Sequence, residues 1–252
     1  MDRKIRVGAV SYLNTKPLIY GFEQGLMKEA ITLEENYPSN IAAALINDEI
    51  DIALLPVAII PEMKDYHIVG DHCIACDGPV SSVCLFSNVP LESITTILLD
   101  YQSRTSVELI KILCKKHWNI SPEFKQSTEG YENELNGTTA VLIIGDRALN
   151  KKGDSLYAYD LGQAWKELTG LPFVFAVWVS NKQLSPEFIE AFTKANDHGL
   201  QHLDEVINAN TEYDLKKYYT ENILYKLDDQ KIEGLKAFLK RLYPSFELKI
   251  DG

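Results

Sequence analysis

Short hydroxyl and amide side chains stand where a ligand would meet them. Ser11 and Asn14 follow directly on the apolar run Ile5 to Val10, so they fall at the carboxyl end of a strand, where α/β folds hold ligands. Ser103-Arg104-Thr105-Ser106 precedes apolar residues at helical spacing, Val107, Leu109, Ile110, Leu113 and Cys114, and the start of a helix offers unpaired backbone N–H groups beside those hydroxyls. Such groups suit the capture of an anion without a metal. Taken alone, Ser and Asn at helix starts are more often caps than ligands. His67, His72, Cys73 and Cys76 have the residue types of a zinc site but no second paired set, and Ile68, Val69, Ile74 and Ala75 interleave with them as in a strand. His198 and His202 lack the intervening Glu of a zinc protease and sit among Asp197, Gln201 and Asp204, which reads as a solvated helix face. No metal site is expected among these residues.

The elements that must position these residues alternate. Ile5 to Val10, Ile52 to Leu55, Val80 to Phe86, Ile94 to Leu99, Ala140 to Ile144 and Phe173 to Val179 read as strands, with helices at Leu18 to Gln24, Asn40 to Asn47 and from Ser103. This predicts an α/β fold with mainly parallel strands. From Ser185 onward the chain reads as all helix, a tail that packs back on a sheet. No Pro/Gly/Ser-rich linker divides the 252 residues, so a two-lobed arrangement requires the chain to cross between lobes inside ordered strands. The crossings are placed near Val83 to Ser87 and Val177 to Ser180, giving residues 1–84 plus 179–252 as one lobe, 85–178 as the other, and a ligand cleft between them.

A formal net charge of -11 opposes nucleic acid and anionic membrane surfaces. An anionic ligand must therefore be attracted locally, by helix starts, hydroxyls and a few arginines. The longest apolar runs fall far short of the roughly 20 residues that span a bilayer. The N-terminus runs straight into a strand with no cleavage-site pattern, so the expectation is a cytoplasmic protein with four reduced cysteines. Nothing in the sequence sets the oligomeric state.

The run Gly8-Ala9-Val10-Ser11-Tyr12-Leu13-Asn14-Thr15-Lys16-Pro17-Leu18 resembles the opening signature of the bacterial chorismate dehydratase family of menaquinone biosynthesis. Asp51-Ile52-Ala53-Leu54-Leu55-Pro56-Val57, Gly78-Pro79-Val80-Ser81-Ser82-Val83, Ser103-Arg104-Thr105-Ser106, Ile144-Gly145-Asp146, Asp160-Leu161-Gly162 and Thr169-Gly170-Leu171-Pro172-Phe173 follow in the family's order, so the likeness spans roughly residues 5 to 180. The resemblance implies a fold similar to type 2 periplasmic binding proteins, with two crossover strands and a helical C-terminal tail. It also implies elimination of water from chorismate to 3-[(1-carboxyvinyl)oxy]benzoate, in the futalosine route and with no cofactor. Chorismate carries two carboxylates. Ser103, Thr105 and Ser106 are expected to hold one of them, with Arg104 either assisting or remaining a surface charge. Ser11, Asn14 and Ser82 complete the expected site, Asn14 and Ser82 holding the departing hydroxyl. Asp146, at a strand end, is the acidic candidate taken from these motifs, and capping of the helix that begins at Arg147 competes with a role as base. The sister enzyme that makes 1,4-dihydroxy-6-naphthoate shares a similar Thr-Gly-Leu-Pro segment, and Ser11-Tyr12-Leu13-Asn14 argues against it. A module that binds a small anion without turnover is the alternative from another class.

Overall fold

The apolar run that opens the chain becomes strand β1 (Ile5–Val10), the first element of a computed structural model that describes residues 3–151, 153–209 and 213–250. After β1 come α1 (Lys16–Glu23), β2 (Ile31–Asn36), α2 (Pro38–Ile46), β3 (Ile52–Pro56) and β4 (His67–Cys76). The middle of the chain forms β5 (Val83–Ser87), β6 (Thr96–Leu99), α3 (Thr105–Lys116), β7 (Glu123–Gln126), β8 (Thr139–Ile144), α4 (Asp146–Lys151), β9 (Tyr157–Asp160) and α5 (Leu161–Thr169). The chain then returns through β10 (Phe173–Ser180) to α6 (Pro186–Gln201), α7 (Leu203–Asn208), α8 (Leu215–Lys217), β11 (Leu224–Lys226) and α9 (Asp229–Leu242).

These strands make two sheets, ordered β11-β4-β10-β3-β1-β2 and β7-β6-β8-β5-β9. Both are mixed, which corrects the expectation of mainly parallel strands. β2 and β3 flank β1 in parallel and β7 and β8 flank β6 in parallel, but β10 runs antiparallel to β3 and β4, and β5 antiparallel to β8 and β9. The physical reason is the connectivity. A strand that arrives from the other sheet enters against its new neighbours, whereas strands joined by helical crossovers stay parallel. The chain changes sheets in residues 77–82 and 170–172; Val83–Ser87 and Phe173–Ser180 each pair within a single sheet. The tail is not all helix either, because β11 adds to the free edge of β4. Three residues are too few to carry a periodic signal.

Side-chain alternation builds the core. In β5, Val83 and Leu85 join the large apolar core shared by both sheets, while Cys84 and Phe86 point to a smaller one with Leu98, Tyr131 and Ala148. β8 divides the same way, Leu142 and Ile144 to one side and Val141 and Ile143 to the other. Asp51, which opens the Asp-Ile-Ala-Leu-Leu-Pro segment, accepts from Arg6 N at 2.9 Å and Nε at 3.1 Å and from Lys182 Nζ at 2.8 Å. Burial pushes its carboxyl up, but the hydrogen bonds from Arg6 and Lys182 outweigh this and hold it well below the usual range. That motif position is an anchor for β1, β3 and β10.

Helix α6 lies on α1 at a glycine contact. A Cβ on Gly199 would stand 1.9 Å from the carbonyl oxygen of Pro17, so two helix backbones meet where no side chain fits. His198 and His202, expected on a solvated face, are half-buried at this contact and stack on Tyr20 of α1. Replacing Gly199 with Ala forces the helices apart, and the expected loss of stability is about 1–3 kcal/mol, read as a lower urea midpoint at unchanged slope.

Candidate functional site

The carboxyl ends of β1, β3 and β8 face one another across a pocket between the sheets, with about 550 Å³ of empty space including its mouth. Its apolar walls come from Leu54, Pro56, Ile74, Phe175 and Ala176 of the first sheet and from Val83 and Ile144 of the second. Its polar groups are Tyr12, Asn14, Thr15, Ser82, Ser103, Thr105 and Ser106, and among the described residues no charged side chain lines it. The pocket can therefore hold a flat apolar ring against its walls and fix polar substituents with hydroxyls, an amide and helix-start N–H groups.

Five of the sequence candidates, Asn14, Ser82, Ser103, Thr105 and Ser106, meet in this pocket. Ser103 Oγ accepts from Ser106 N at 3.1 Å, which fixes the first turn of α3. Thr105 Oγ1 accepts from Ala58 N at 3.2 Å and so ties that turn to the segment after β3. The other three lie outside the lining. Ser11 is exposed, its backbone N–H spent on Asn36 O at 3.0 Å. Arg104 points away into a surface depression with Glu108, Lys111 and Tyr243. Asp146, half-buried at the start of α4, accepts from Leu13 N at 3.1 Å, so its carboxylate holds the first loop. Burial raises the Asp146 carboxyl above its ordinary value, with the Leu13 N–H and the charges of Lys16 and Arg147 pulling the other way.

The motif segments interlock. Gly145 N donates to Ser82 O at 2.8 Å; Gly145 has φ +63°, and a Cβ there would stand 3.0 Å from the Tyr12 ring, so only glycine satisfies both the turn and the contact. Tyr12 in turn donates its hydroxyl to Gln102 of the second lobe. Asp160 accepts from Val80 N at 3.1 Å and Ser81 N at 2.7 Å, holding the segment that carries Ser82. From the tail, Tyr219 donates to Leu13 O at 2.9 Å and Tyr218 to Ser82 Oγ at 2.7 Å. Tyr12 and the two tail tyrosines escaped the sequence reading, since aromatic residues in an apolar pattern read as core.

Among the described residues, no three His, Cys, Asp or Glu side chains come together in a way that could hold a metal ion. His72 sits between Asp71 at 3.1 Å and Asp197 at 3.0 Å. The four cysteines are buried, and desolvation pushes the thiols of Cys73, Cys76 and Cys114 up, the last to about 12. No helix among the described residues is long and apolar enough to cross a membrane.

A family model described as menaquinone biosynthesis matches residues 5–244. This chain belongs to that family. The chorismate dehydratase of Thermus thermophilus is 28% identical over 94% of this chain and 94% of its own, and that of Campylobacter jejuni is 29% identical over 92% and 95%. A Candida albicans protein described as having the generic periplasmic binding protein fold superposes with a TM-score of 0.68 at 16% identity, covering 98% of this chain and 92% of that one. The expected two-sheet binding-protein architecture is the one observed.

In this menaquinone biosynthesis family member, a buried ion pair sets the approach to the α3 helix start. Asp100, whose carboxylate is fully buried, accepts from Gln102 N at 2.8 Å, Tyr131 Oη at 2.7 Å, Ile144 N at 3.1 Å and Arg147 at 2.8 Å. Burial raises its carboxyl, and Arg147 chiefly opposes the rise. Arg147→Met leaves that carboxylate without its cation and is expected to cost about 3–5 kcal/mol. Asp100→Asn with Arg147→Met should recover part of the loss, both read from denaturant midpoints.

Proposed function

We propose that this chain eliminates water from chorismate to give 3-[(1-carboxyvinyl)oxy]benzoate, in the futalosine route to menaquinone and in the cytoplasm. The observation that carries the reading is the convergence of Asn14, Ser82 and the Ser103 to Ser106 helix start on one uncharged pocket with walls for a ring. Family membership and the two chorismate dehydratase relatives point the same way.

The reaction breaks the C–H bond at the ring carbon bearing the ether oxygen and the C–O bond of the neighbouring hydroxyl, and the electron pair left by the proton completes the aromatic ring. Aromatisation drives it, so orientation is the main demand on the protein. Ser103, Thr105 and Ser106 offer hydroxyls and helix-start N–H groups to the ring carboxylate. Asn14 and Ser82 hold the departing hydroxyl. Among the described residues, no His, Lys, Asp or Glu lines the pocket, which supports the substrate's own enolpyruvyl carboxylate as the proton acceptor. The proton it takes leaves with the hydroxyl as water.

Purified protein mixed with chorismate should yield a compound lighter by one water, with the absorbance of a benzoate. Binding without turnover would make the protein a small-anion module instead. Asn14→Ala and Asn14→Asp should both fold and lose about 10² to 10³ in kcat, as removal of one preorganised hydrogen-bonding group does. Asp146 separates positioning from base catalysis. Asp146→Asn keeps an acceptor for the Leu13 N–H and should retain kcat within about threefold, whereas Asp146→Ala should lower kcat/KM by about tenfold, the loss of one charge-assisted bond of roughly 1.5 kcal/mol. Equal, near-complete inactivation by both would make the Asp146 carboxylate the base.

A further inference from the structure

The hydroxyl of Tyr218 joins the tail to Ser82, a residue of the pocket lining. After α8 the chain makes a π-helical turn, Tyr218–Asn222, a widened geometry that recurs at functional sites. Asn222 Nδ2 donates to Pro79 O at 3.0 Å, fastening this turn to the segment that carries Ser82. Tyr218 is 4% exposed and Ser82 1%, and the Tyr218 hydroxyl donates to Ser82 Oγ at 2.7 Å. Asn14 bonds the same tyrosine through its side chain. One buried hydroxyl thus touches both residues assigned to the departing group.

We propose that Tyr218 is a positioning residue that fixes the direction in which Ser82 donates, an inference that rests on the proposed dehydration. A serine hydroxyl has one proton and two lone pairs. With one lone pair occupied by the Tyr218 proton from behind, the Ser82 proton is left to point into the pocket, where the leaving oxygen gathers negative charge. Desolvation pushes the Tyr218 phenol well above its ordinary range, against the pull of its bonds to Ser82 and Asn14; it therefore stays a neutral donor and does not itself supply the proton. The ring carries the hydroxyl to its place, and the π turn carries the ring.

The test is a double-mutant cycle on the full chain with chorismate as substrate. Tyr218→Phe removes the hydroxyl and leaves the buried ring; Tyr218→Leu is the second hydroxyl-free variant should the first not fold, and thermal melting is read before kinetics. The expected result is a fall in kcat of about tenfold or more with KM within about twofold, and no further fall when the substitution is made in Ser82→Ala. The pH profile of kcat/KM should keep its shape. Wild-type kcat in the hydroxyl-free variant, losses that multiply with those of Ser82→Ala, or a displaced limb of the pH profile would each overturn the positioning role. If wild-type protein leaves chorismate intact, the dehydratase reading falls first and this inference with it; an active wild type with an indifferent Tyr218 overturns the inference alone.

Discussion

The site depends on the first loop, residues 12–15, being held against the second sheet. Strand β1 delivers this loop from the first sheet, yet its hydrogen bonds reach across the cleft: Leu13 N to Asp146 and the Tyr12 hydroxyl to Gln102. Gly145, with its left-handed backbone, lets the Tyr12 ring close on the turn after β8 while its N–H takes the carbonyl of Ser82. These contacts fix the separation of Asn14, on one wall, from the α3 helix start on the other. Were they removed, the smaller core of Cys84, Phe86, Val141 and Ile143 would keep its packing, since no residue of the loop belongs to it. What is lost is the relation between the walls. These polar bridges between the two sheets set the spacing of the pocket walls.

How much of this was legible in the sequence follows from the range of each signal. Strands such as Ile52–Pro56 and Phe173–Ser180, buried along their whole length, read as continuous apolar runs, and Ser185 was legible as a helix start because its side chain caps Phe188 N at 3.2 Å. Short edge strands were not legible. β7 (Glu123–Gln126) and β11 gain their form from a neighbour's open edge, which no local pattern records. The direction of β5 and β10 was also hidden, because apolar composition says a strand is buried without saying which way its partners run. The helix-start candidates were visible by residue type alone. Arg104, for which assistance and a surface charge both stood open, is exposed, while Ser103, Thr105 and Ser106 line the pocket. Tyr218 lies 136 residues along the chain from Ser82, and only folding shows the two together.

The charge balance explains why the site has the character it does. A chain of net charge -11 repels a dianion at long range, and an arginine in the cleft would be the simplest local remedy. Arg147, two residues beyond the lining residue Gly145, is instead committed to Asp100 and Glu132, and Arg104 is exposed. The pocket thus relies on dipoles: hydroxyls, an amide and the N–H groups of a helix start, which lose little in reorganisation because Asp100, Asp146 and Asp160 already fix the segments that present them. The three carboxylates lie outside the pocket lining, accept backbone N–H groups and so spend their charge on the scaffold. For a reaction whose driving force is aromatisation, this division is physically sensible. A cation gripping the enolpyruvyl carboxylate would lower its basicity, whereas neutral donors hold the substrate and leave that carboxylate able to take a proton.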